Sequence, residues 1–153
     1  MTRTKAALAA LLLCVTTAGG ATAQQTGSPR PGEAPLGILC QLKVPRSQNW
    51  VPEVVFIGHD PAQDLVIVSD SVGLAYNSGQ PVPGRVAVLN SRRVTYAWDF
   101  PVRDAAGNQA RRMLYRATIQ LRSGVVQISA SPGGYDNRFI ASGRCQWSAL
   151  ESD

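Results

Sequence analysis

Apolar side chains fall on every second residue through most of the second half of this chain, and that period leaves it few folds. Val94, Tyr96, Trp98 and Phe100 form one series, and Met113, Tyr115, Ala117, Ile119 and Leu121 form the next. Val126, Ile128 and Ala130 follow, then Phe139, Ala141, Gly143, Cys145 and Trp147. Successive side chains of a strand point to opposite faces, so each series is the inward face of a half-buried strand. The second strand's other face carries Arg112, Leu114, Arg116, Thr118, Gln120 and Arg122.

The first half reads the same way with weaker punctuation. Leu36, Ile38, Cys40, Leu42 and Val44 share one parity. Trp50 to Ile57 reads as a second strand broken by Gly58-His59-Asp60-Pro61, Leu65 to Val68 as a third, and Arg85 to Leu89 as a fourth. Gly73 to Gly84, punctuated by Gly79, Pro81 and Pro83, reads as a loop. Turn formers separate the later runs: Asn90-Ser91-Arg92, Asp104 to Asn108, Arg122-Ser123-Gly124 and Ser131-Pro132-Gly133-Gly134. Pro101 ends or bulges its strand. No segment of ten or more residues carries a helical apolar stripe. About eight short strands with even spacing predict an all-β domain, a small antiparallel meander closed or nearly closed into a barrel, with a two-sheet sandwich as the other arrangement.

The cysteines favour closure. Cys40 and Cys145 both fall on inward parities, one in the first strand and one in the last. A disulfide between them would tie the two ends of the sheet together through the core.

The chain's start gives the compartment in which such a bridge can form. Arg3 and Lys5 precede an uninterrupted apolar run from Ala6 to Val15, and Ala21-Thr22-Ala23 supplies the small-x-small pattern of a cleavage site. The expected organisation is a signal peptide over residues 1–23, a flexible segment over 24–35, and one β domain over 36–150. The expected destination is the bacterial periplasm. The run is too short to span a bilayer, and no later segment approaches the necessary length. Cys14 follows bulky Leu13 rather than a small residue, which argues against a lipid-modified cysteine. Without residues 1–23, 13 basic side chains face 10 acidic ones, a net charge near +3. So mild a balance argues against a nucleic-acid partner.

Groups that carry chemistry are few. His59 is the only histidine. Asp60, Asp64 or Asp70 as orienter and Ser69 or Ser71 as nucleophile would complete a hydrolytic set, but no serine lies in a nucleophile-elbow motif. A solvated or capping loop histidine is the simpler reading. One histidine and two bridged cysteines supply too few soft ligands for zinc, and the aspartate spacing does not match a calcium loop. No metal or cofactor is expected.

Three surfaces remain. Tyr96, Trp98 and Tyr115 face inward and would line a pocket for a small apolar ligand if the barrel is hollow. Arg112, Arg116 and Arg122 would form a basic stripe suited to an anionic polymer. Tyr135 and Arg138, in a glycine-led loop, combine residue types favoured at protein contacts, and Tyr76-Asn77-Ser78-Gly79 is a second such loop. The reading is an exported, non-enzymatic binding or interaction module whose partner is an envelope protein or a small ligand. The alternatives are a small hydrolase using His59, or an envelope component that binds acidic polymer through its arginines.

Overall fold

The computed structural model describes residues 29–103 and 109–150. Among them, strands β1 (Leu36–Lys43), β2 (Val54–Asp60) and β3 (Leu65–Asp70) precede a short helix, α1 (Ser71–Tyr76). Strands β4 (Val82–Leu89), β5 (Arg93–Arg103), β6 (Gln109–Gln120), β7 (Val125–Pro132) and β8 (Phe139–Ala149) follow. Each strand pairs antiparallel with the next and β1 pairs with β8, so the meander closes into a barrel. The barrel, not the sandwich, is the architecture. The leader, residues 24–28 and the 104–108 hairpin loop lie outside the described residues.

Closure is covalent as well as hydrogen-bonded. Cys40 and Cys145 stand directly opposite in the β1–β8 register and form a disulfide, 105 positions apart in sequence. The seam is tight beside the bridge: a Cβ at Gly143 would fall 1.9 Å from the Gln41 carbonyl oxygen. Only glycine lets the two backbones approach this closely.

The register fills the interior. Tyr96 pairs with Ala117, which pairs with Ile128 and then Ala141, while Trp98 pairs with Tyr115 and then Ala130. All of these are buried. An eight-stranded barrel is just wide enough for side chains to fill, and the alanines accommodate the rings beside them. Trp98 stacks on Tyr115 with centroids 5.2 Å apart, and Phe100 stacks on Tyr115 at 5.3 Å.

Alternating strand directions place the connections on two rims. The lower rim carries the chain before Leu36, the turns at 61–64, 90–92 and 121–124, and Leu150. There Arg30 to Glu33 form a turn whose Gly32 lies against Leu89. The upper rim carries residues 44–53, α1 with its following turn, and the 133–138 loop.

Several local expectations are corrected. Residues 73–84 are not all loop: α1 occupies 71–76, and β4 begins at Val82. Asp70 caps the helix, accepting from the Val72 and Gly73 amides at 2.9 and 2.8 Å, and so short a helix is invisible to a 3.6-residue period. Trp50 lies in a turn before β2, and β2 runs through Gly58 and His59 to Asp60 instead of breaking there. Strand β5 continues past Pro101, and its ladder shifts register between Pro101 and Arg103 because proline has no amide hydrogen to donate.

Candidate functional site

His59 is not a solvated loop residue. It is an inward strand residue, 4 % exposed, with Nδ1 3.0 Å from the Tyr96 hydroxyl and its ring edge-on to the tyrosine. Burial holds the imidazole below its ordinary 6.5, partly opposed by the Asp60 and Asp64 carboxylates. Burial also raises Tyr96, so its phenol stays protonated. Ser69 is three residues along β3 from Val66, the register partner of His59, and its side chain points outward. Ser71 lies in α1, toward the upper rim. The structure therefore brings neither serine to the histidine.

A pH dependence follows. As pH falls through 6.5 the unfolded chain takes up a proton on His59 before the folded one does, so the domain loses stability. Asp70 contributes with the opposite sign, because burial raises its carboxyl from 3.8 and favours the protonated folded state. Thermal unfolding between pH 7.5 and 5 is expected to show the melting temperature falling more steeply for wild type than for His59→Gln. Parallel curves would mean that the histidine is not the titrating group.

Asp70, expected among solvated loop acids, is also buried. Its Oδ1 caps α1, and neither Oδ2 nor the buried Trp98 Nε1 makes a hydrogen bond of regular geometry. The indole N–H still helps hold the carboxylate charged. Tyr115 donates its hydroxyl to the Trp50 carbonyl at 2.7 Å. Tyr96, Trp98 and Tyr115 are thus brought together in the core, packed against other side chains rather than facing an open lumen. Among the described residues, no cluster of three or more His, Cys, Asp or Glu is placed to hold a metal ion.

The arginines are dispersed. Arg112 is engaged by Asp99, through both the carboxylate and the backbone carbonyl, and Arg85 reaches the same carboxylate at 4.0 Å. Arg116 stands mid-wall beside Ala97, and Arg122 sits in the lower-rim turn. Arg112 and Arg122 are separated by about 30 Å along the strand direction, beyond the ~10 Å screening length at moderate salt.

The upper rim gathers the remaining groups. Trp50 stacks on Tyr76 at 5.6 Å, and Tyr76 stacks on Phe100 at 6.2 Å, which continues the core column of rings outward. Tyr76 is partly exposed, and Tyr135, in the neighbouring loop, is 62 % exposed. Arg46 and Arg138 are exposed on the same rim. Gln48 ties the segment before β2 to β8, its side-chain oxygen accepting from the Ile140 amide at 2.7 Å. The sequence names Tyr135, Arg138 and Tyr76 as candidates and reads Trp50 as a strand residue; the structure sets all four on the upper rim. Asn49 and Pro52, beside Trp50, were the available signal of a turn.

Comparison with family models, curated proteins and solved structures finds no match to this chain.

Proposed function

We propose that this chain is an exported, non-enzymatic interaction module that engages a protein partner through its upper rim. The contact residues are Trp50, Tyr76 and Tyr135, flanked by Arg46 and Arg138. The observation that carries the reading is the column of stacked rings from Trp98 through Tyr115 and Phe100 to Tyr76 and Trp50. It roots two rim aromatics in the barrel core, so little side-chain freedom is left to lose on binding. Tyrosine, tryptophan and arginine are the residues most often found at binding hot spots. The disulfide across the seam suits an oxidising compartment, in keeping with removal of the leader during export.

The test is photo-crosslinking in the source cell from a reactive residue at position 135, with position 63 on the lower rim as control. A discrete protein adduct from 135 and not from 63, weakened by Tyr76→Ser, is the expected result. Equal adducts from both rims, or none from 135, would remove the proposal. The mass of the exported chain tests the leader: it should begin at Gln24.

A further inference from the structure

The outer wall of the barrel is not uniform. On β1–β3, Leu39, Val54, Phe56, Leu65 and Ile67 face outward, and Leu150 lies beside them; each is 39–50 % exposed. The register makes them neighbours: Leu39 pairs with Phe56, and Gly58, two residues on, pairs with Ile67. A Cβ at Gly37 would lie 3.3 Å from the Phe56 ring and 3.1 Å from Leu150, so both side chains lean over that glycine. Phe56 is therefore a ridge. On one side is a hollow of about 250 Å³ lined by Pro35, Gly58, Leu65, Ile67 and Leu150. On the other is one of about 580 Å³, bounded by Val54, Ser69 and Leu74. On β5–β8 the outward positions carry mainly Arg, Thr, Gln and Ser, and the exposed Leu89, Leu114, Val125 and Ile140 stand one to a strand on β4 and β6–β8 rather than as a cluster on neighbouring positions.

We infer that this wall is a homodimer interface, its occupant the same wall of a second copy related by a two-fold axis lying across the strands. The charges at its ends select that arrangement. Lys43 projects from the upper end, with Arg46 in the following turn outnumbering Glu53. Asp60 and Asp64 mark the lower end. A two-fold across the strands reverses the second copy, so each basic end meets an acidic end; an axis along the strands would oppose like charges. The same operation lets each Phe56 ridge face the other copy's hollows.

The size falls somewhat below that of a standard interface and fits a weak, reversible dimer. Six half-exposed large side chains present on the order of 450 Å² of apolar surface, within the range of the largest and often functional patches on monomers. A standard interface removes about 800 Å² per partner, of which about two-thirds is apolar in homodimers. A closed barrel offers no strand edge for pairing, so faces are what remain. Arg46 borders both this wall and the rim assigned to a partner protein, but the rim aromatics Trp50, Tyr76 and Tyr135 are not part of the wall, and the crosslinking and sedimentation tests fail independently.

Sedimentation of the oxidised chain from micromolar to near-millimolar concentration tests this. A reversible dimer is expected, and Phe56→Glu and Ile67→Lys, each checked for native near-UV circular dichroism, should each raise its dissociation constant at least about tenfold. Lys43→Glu should weaken the dimer, and adding Asp64→Lys should restore it. A monomer throughout the range, a dimer indifferent to both wall variants, or no recovery in the charge swap would overturn the inference.

Discussion

Replacing both cysteines by alanine is expected to lower the unfolding free energy by about 4 to 5 kcal/mol, with urea unfolding as the measurement. The bridge closes a loop that contains nearly the whole barrel, since 105 positions separate its ends. Without it the unfolded chain regains the freedom of a long open loop, worth about 4.7 kcal/mol in the chain-entropy description. The folded state loses little hydrogen bonding, because the β1–β8 ladder runs on both sides of the bridge from Leu36 to Lys43. The denaturant dependence should also steepen, because an uncrosslinked unfolded chain exposes more surface. An unchanged midpoint would show that the seam is held by packing alone. Both bridged cysteines are buried, so reduction of the folded protein should be slow unless the seam opens first.

Trp98→Ala should cost a comparable amount, about 3 to 5 kcal/mol. The indole is 1 % exposed and lies face to face with Tyr115, so truncation leaves a void in a packed interior that cannot readily collapse. Trp98→Phe separates two contributions. It keeps a ring against Tyr115 but removes the indole N–H that helps hold the buried Asp70 carboxylate charged, at a cost of about 1 kcal/mol. Asp70→Asn should then recover part of that loss in the double variant, since asparagine still caps α1. Strict additivity of the two substitutions in chemical denaturation would show that indole and carboxylate do not communicate.

The long, strictly alternating strands were legible in the sequence because burial on one face forces period two, and the cysteine parities carried closure with them. What escaped was decided by tertiary partners. His59 looks like a loop residue beside Gly58 and Pro61, but the Tyr96 hydroxyl across the barrel gives it an inward place. Asp70 looks like a solvated acid until α1 supplies two amides to its carboxylate. Trp50 becomes a rim aromatic only because Tyr76 and the Tyr115 hydroxyl meet it from distant positions. The Arg112–Asp99 pair depended on which residues the β5–β6 register sets near one another. At Asp70 the contact is local, two and three residues on, but the helix it caps is too short to leave a period. In the other cases the deciding contact spans 13 residues or more, and local period carries no record of it.

The seam also decides how the molecule would bear a load. Pro35 and Leu150 meet at the lower rim, the Leu150 amide donating to the Pro35 carbonyl at 3.0 Å. Tension applied through these two points would peel β1 from β8 one rung at a time. It would stop at Cys40 and Cys145, having freed only Leu36 to Leu39 and Gln146 to Ala149. Beyond that the force passes through sulfur, and the rest of the barrel, with the aromatic rim at its far end, hangs slack inside the covalent loop.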